Sequence, residues 1–266
     1  MGDRYLLDLA DVCRRAGLSV TEVEGWQYRA RGSGGYSSGK PDHVMVHHTA
    51  SPASADGWSD VNYIAEGDED APLSNLYLGR SGQVWVIAGG ATNTNGSGAD
   101  PCGHIEPDTM NSSAIGIEAG NDGVGETWPA SQLDAYLRLI DALCAAYGVP
   151  TARVHGHAEW APSRKVDPAG PPRYASGADT WNMAAFRDDL GGGQPLPPDP
   201  GGDMPAYCVR DVDGWPWVTD WCTSATMVTE DQAARGRDLR GWLVAPDGGP
   251  FPIDAQDSDL MRRLSG

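Results

Sequence analysis

Positive charge is scarce in this 266-residue chain: 19 Lys and Arg stand against 37 Asp and Glu, a formal net charge of −18. An acidic surface of that size repels a phosphate backbone, so nucleic acid is excluded as an expected partner. No uninterrupted apolar run approaches the ~18 residues needed to span a bilayer, so a soluble chain without membrane insertion is expected. The opening residues, Met1 to Asp8, lack a basic stretch followed by an apolar one and a small-residue cleavage site. No secretory signal is therefore expected, and the protein should accumulate in the cytoplasm where it is made. Cysteine is sparse and irregular. Cys13, Cys102, Cys144, Cys208 and Cys222 are odd in number and contain no CxxC pair, which argues against a disulfide framework and against a structural zinc knuckle.

Glycine and proline are abundant, at 35 and 20 residues, and they concentrate in one place. From Gly191 to Gly202 the chain holds no apolar period, and 191–204 reads as a linker. It separates a domain over 1–190, with an N-terminal helical extension over 1–40, from a small domain over 205–266 whose single core would have to be efficient. In the larger part, an apolar stripe predicts a short helix from Tyr5 to Ala16, stopped by Gly17. Leu133, Tyr136, Leu137, Ile140, Leu143, Cys144 and Tyr147 recur at three- and four-residue steps. They predict a longer helix over Ser131 to Tyr147, with Ser131 as N-cap and Gly148 and Pro150 closing it. Strands are expected at Val44 to His48, Asn75 to Gly79, Gln83 to Ala88, Ala114 to Ala119 and Ala152 to His155. Arg80 to Gly82 makes a hairpin turn, and a last helix runs from Thr180 to Leu190. Strands interspersed with helices predict a mixed central sheet covered by helices, of α/β or α+β class.

Three of these strands end in groups that can do chemistry. Val44 to Ala50 carries His47 and His48, Ala114 to Gly120 carries Glu118, and Val154 to Pro168 carries His155, His157, Glu159, Lys165 and Asp167. Strand ends from distant segments converge on one cleft in such folds, and a catalytic zinc takes three N or O ligands while leaving one position open. Two histidines and one carboxylate meet that requirement. Adjacent His47 and His48 face opposite sides of a strand, so only one of them lines the cleft. His155 and His157 share a face, so either is a candidate. Asp167 before Pro168 is also a common way to begin a turn, and Glu159 competes with Glu118 for the role of base.

Val46-His47-His48-Thr49, Ile115-Gly-Ile-Glu118 and His157-Ala-Glu-Trp-Ala-Pro-Ser-Arg-Lys165-Val-Asp167-Pro168 resemble the zinc-dependent type 2 N-acetylmuramoyl-L-alanine amidases, over about residues 40 to 190. That family shares its fold with peptidoglycan recognition proteins and with many phage endolysins. The resemblance implies an α/β fold with a mixed central sheet and a small α+β C-terminal domain. It also implies Zn2+ as cofactor, His47, His157 and Asp167 as its ligands, Glu118 as the catalytic acid and base, and Lys165 as the cation facing the carbonyl oxygen. Leu73 to Leu78 corresponds to a stretch where the family often has a helper tyrosine near the zinc, and here that helper is absent or displaced. The family's usual histidine in the loop before the glutamate strand has no assigned counterpart, with His104, Asn93 and Asn95 nearby. Asn121 to Pro129 is similar to endolysins of phages that infect actinobacteria. The expected activity is hydrolysis of the amide between N-acetylmuramic acid and L-alanine in peptidoglycan, by an endolysin held in the host cytoplasm until release to the wall. The rival readings are a bacterial or prophage amidase, a binding module that does not cut, and a two-carboxylate glycosidase.

Other features have plainer explanations. Gly34 to Lys40 fits part of a phosphate loop, but Pro41 stands where a magnesium-binding hydroxyl belongs, so it reads as an ordinary loop. Trp215, Trp217, Trp221 and Trp242 in the small domain either build its core or stack on sugar. A helix is expected from Thr229 to Arg240, and domain order suggests a wall-binding or oligomerising module.

Overall fold

The computed structural model describes residues 4–191 and, beyond them, the backbone of 207–210, 216–219 and 225–227. Its chief elements run α1 (Leu9–Arg15), β1 (Val20–Glu22), β2 (His43–His48), α2 (Trp58–Asn62), β3 (Leu76–Leu78), β4 (Val84–Val86), β5 (Ala114–Ala119), α3 (Ala130–Tyr147), β6 (Val154–Gly156), α4 (His157–Trp160) and α5 (Met183–Asp188). Strand order is β1-β4-β3-β5-β2-β6, with β3 and β4 antiparallel and every other neighbouring pair parallel. This is the mixed, helix-covered sheet that the sequence predicts.

Alternation along the strands sorts the two faces. Val44 and Val46 of β2, Ile115 and Ile117 of β5, Leu76 and Leu78 of β3 and Val84 and Val86 of β4 share one face. There they join α1, α3 and α5 in a single buried core. All six residues of β2 are buried, as expected of a central strand covered on both sides. The opposite face carries His43, Met45 and His47 on β2, Gly116 and Glu118 on β5, Tyr77 on β3 and His155 on β6, in a continuous register. Chemistry is confined to that second face.

The helices depart from expectation mainly at their ends. α3 starts one residue earlier than predicted, with Pro129 at the N-cap, so Ser131 lies inside the helix and does not cap it. Its far end is as predicted: Gly148 takes the left-handed conformation at φ 70, which L side chains adopt only with strain. α5 is shorter than the predicted 180–190, because Asn182, two residues past Thr180, supplies the cap by accepting from the amides of Ala184 and Ala185. Gly82, at φ 88, turns the hairpin between β3 and β4. The segment read as a helical extension holds α1 and also β1, an edge strand of the main sheet. β1 is too short for alternation to announce it.

The chain divides into two units at Pro197 and Pro198. In the second, β7 (Tyr207–Arg210), β8 (Pro216–Thr219) and β9 (Ala225–Met227) form an antiparallel sheet in that order. Most of the predicted linker and the helix over 229–240 lie outside the described residues, as do the side chains of the four tryptophans.

Candidate metal centre

β2 delivers His47 at its carboxyl end, β6 passes directly into α4 so that His157 opens that helix, and Asp167 follows ten residues later. All three are buried. His47 Nδ1 lies 2.9 Å from His157 Nδ1, and Asp167 Oδ2 lies 3.0 and 3.1 Å from those two nitrogens. The far side of each ring is occupied. His157 Nε2 is 2.9 Å from the Asn95 carbonyl oxygen, which only accepts, so Nε2 carries the proton and Nδ1 presents its lone pair. His47 Nε2 is 3.2 Å from Thr94 Oγ1. That approach depends on Gly116, since a Cβ there would sit 2.3 Å from the threonine oxygen.

Electrostatics reinforce the arrangement. Burial, helped by the neighbouring His157, holds the His47 imidazole down to about 4, so it is neutral at neutral pH. Burial pushes Asp167 the other way, but the close approach of His157 and His47 outweighs it and keeps the carboxyl well below the usual range. Two imidazole nitrogens and a carboxylate oxygen thus converge with fewer protons than their mutual distances demand. That donor set fits a divalent cation such as zinc.

Glu118 is the Cα partner of His47 in the β2–β5 pairing and shares its face. Its Oε2 is buried without a hydrogen-bond partner. Burial raises its carboxyl well above the ordinary value, the Asp167 charge adds to the rise, and the Lys165 ammonium opposes it. Glu118 also lines a groove of about 380 Å³ with Thr49, Ser51, Asp60 and Tyr63, a volume suited to part of a small ligand. Lys165 is half-buried, and its charge acts on His47, His48 and Glu118.

The alternatives left open by the sequence separate cleanly. His48 faces away, with Nδ1 accepting from the Ala169 amide at 3.0 Å. His155 lies beside Met45 and faces Asp100 and His43, not His47. Glu159 is held by Arg187 at 2.8 and 3.0 Å and by the Gly156 amide, so it is engaged away from Glu118. Tyr77 stands beside Glu118 in the register, but its hydroxyl is taken up by Asp56 at 2.6 Å and Asp60 at 2.9 Å. Sequence reasoning missed Thr94, the Asn95 carbonyl and Tyr136. The Tyr136 hydroxyl accepts from the His47 amide and lies 3.1 Å from the carbonyls of His47 and Ile117. Its place on the α3 stripe signalled core packing and nothing more.

A buried two-histidine, one-carboxylate cluster beside an unpaired carboxyl, at one end of a mixed sheet, marks the fold as one carrying a candidate mononuclear metal site. The N-acetylmuramoyl-L-alanine amidase family (Amidase_2) matches residues 37–170, half of the chain and all of this cluster. The chain belongs to that family. No curated protein matches it. Among solved structures it is similar to the E. coli amidase AmiD, in complex with anhydro-N-acetylmuramic acid-L-Ala-D-gamma-Glu-L-Lys, at 20% identity and TM-score 0.42. That match covers 48% of this chain and 52% of that one, so the chain spans about half the length of AmiD. It is also similar to AmpD (18% identity, 64% and 93% covered, TM-score 0.46) and to the amidase LysC of Clostridium intestinale (14%, 65% and 97%, TM-score 0.45).

Proposed function

We propose that this protein is a zinc-dependent N-acetylmuramoyl-L-alanine amidase that cuts the amide between N-acetylmuramic acid and the L-alanine of the stem peptide. The observation that carries the reading is the convergence of His47, His157 and Asp167 within 3.1 Å, next to a Glu118 carboxyl that has no partner. When bound by the three ligands, zinc supplies Lewis acidity that makes water nucleophilic at neutral pH.

The chain's own groups supply the rest. Glu118, its affinity for a proton raised by burial, takes a proton from the attacking water as oxygen bonds to the carbonyl carbon. The Lys165 ammonium faces the carbonyl oxygen, where negative charge develops. When the carbon–nitrogen bond breaks, Glu118 returns its proton to the departing amine, leaving a carboxylate on the muramic acid and a free amino-terminal alanine. Thr94 and the Asn95 carbonyl keep both imidazoles turned with Nδ1 inward. We further propose that the biological setting is a phage endolysin acting on an actinobacterial host, released from the cytoplasm to the wall. The likeness of Asn121 to Pro129 to such enzymes supports this.

Digestion of purified peptidoglycan by the zinc-loaded chain, with and without a chelator, tests the activity. New amino-terminal alanine that disappears with chelator is the expected product. New reducing ends would turn the case to a glycosidase, and wall binding with neither product would turn it to a recognition module. Induction in an actinobacterial host, with and without a membrane-permeabilising protein, tests the setting: lysis only in the permeabilised culture is expected.

A further inference from the structure

A second cluster lies at the other end of β2, on the same face. We propose that His43, His155 and Asp100 form a separate divalent-cation site that ties the loop around residue 100 to strands β2 and β6. The three side chains are almost wholly sealed from solvent, at 0%, 2% and 0% exposure. His43 Nε2 lies 3.5 Å from Asp100 Oδ2, and His155 Nε2 lies 3.6 Å from Asp100 Oδ1. These separations are too long for the 2.7–2.9 Å of a charge-assisted hydrogen bond. Neither histidine nitrogen has any hydrogen-bond partner.

The protonation pattern points the same way. His43 Nδ1 is 2.8 Å from Asp42 Oδ1, a carboxylate oxygen that accepts, so Nδ1 holds the proton of the neutral ring and Nε2 is bare. A second proton on that ring would have to be carried as charge in a buried position, which desolvation opposes. A bare nitrogen lone pair therefore faces a carboxylate oxygen, two acceptors whose mutual repulsion a cation would relieve. Asp100 cannot turn away to water. Its Oδ1 accepts from the Cys102 amide at 2.9 Å, and its Oδ2 accepts from the His104 and Ile105 amides at 2.6 and 3.2 Å. Three backbone donors thus aim the carboxylate, as outer partners of metal ligands do. A cation shared by the three would satisfy both unpartnered Nε2 atoms, and imidazole with carboxylate favours zinc or a similar borderline ion.

Two metals follow one another along one strand. Met45, packed with Met110 and Trp160, stands between them, so the two sites have no ligand in common. The second cluster has no counterpart of Glu118 or Lys165 among its named groups, which assigns it a bracing role.

Metal counting decides the matter. The full chain is loaded with zinc, freed of excess by gel filtration, and assayed for metal per chain by mass spectrometry. Two equivalents are expected in the wild type, one in His47→Ala/Asp167→Asn and one in His43→Gln. Cobalt(II) bound to the His47→Ala/Asp167→Asn chain should show the intense visible bands of a low-coordinate site. Adding His155→Gln to that chain should weaken cobalt binding by more than about 100-fold, beyond the effect of an outer partner. One equivalent in the wild type and none in His47→Ala/Asp167→Asn would overturn the second site. One equivalent in both would uphold it and overturn metal binding at the first. These outcomes hold even if His43→Gln fails to fold.

Discussion

The two histidine–aspartate clusters of this protein draw on the same residue types, on β2 and on the junction of β6 with α4, yet only one is equipped to react. At the carboxyl end of β2 the ligand atoms of His47, His157 and Asp167 stand 2.9–3.1 Å apart, beside a groove lined by an unpartnered Glu118. At the amino end Asp100 stands 3.5 and 3.6 Å from His43 and His155 in closed surroundings, Asp42 is taken up by His43 Nδ1, and Glu159 beside His155 is neutralised by Arg187. Ligands alone therefore do not define a hydrolytic centre. An open side and a carboxyl held near its working protonation state do.

That contrast can be broken most severely at His157. Replacing it with alanine should lower amide hydrolysis by about 10³-fold or more, the rate equivalent of the several kcal/mol a Lewis acid supplies. Zinc at the His43 cluster should remain, as metal analysis of the variant would show.

Glu118→Gln separates chemistry from ligation at the same end. Hydrolysis should fall by about 10³-fold with both metals retained. Stability should move the opposite way. A carboxyl raised above its ordinary 4.5 favours folding while protonated, and that contribution is lost as pH rises through the raised value. The glutamine has no such loss. Melting curves of metal-free chains should therefore show the variant gaining on wild type as pH rises above the ordinary carboxyl value of 4.5. A constant difference over that rise would contradict the buried, unpaired state of Glu118.

The smallest effect belongs to the quiet end. Opposing its burial, the neighbouring His155 and the hydrogen bonds and charge of Arg187 hold Glu159 down to about 2. A depressed carboxyl stabilises the fold above its ordinary value and loses that contribution as pH falls through the depressed one. Glu159→Gln should cost about 2 kcal/mol near neutrality, and the difference should vanish toward about pH 2, as urea titrations at several pH values would register.

Much of the first centre was legible in the sequence because its parts are local: His157, Lys165 and Asp167 fall within eleven residues, and His47 and Glu118 end strands with plain apolar alternation. The sheet was legible for the same reason. The second cluster was not, since Asp100 reaches His43 across an irregular loop that has no period to read. Thr94 escaped notice because its role rests on the missing Cβ of Gly116, a contact across 22 residues. The five-residue α2 and three-residue β1 are too short for periodicity to detect. Ser131 misleads as a cap because local composition cannot tell which of several polar residues has free amides two or three positions ahead.

The alternation of β2 has a consequence for the order in which the protein becomes competent. Val44 and Val46 bury themselves only if the strand pairs in one register, and a slip of a single residue would turn the valines toward the groove and His47 into the apolar core. The oily side of the strand thus proofreads the polar side. A chain that has collapsed correctly presents its imidazoles before any ion arrives, and a misaligned one is rejected by water exclusion rather than by failure to capture metal.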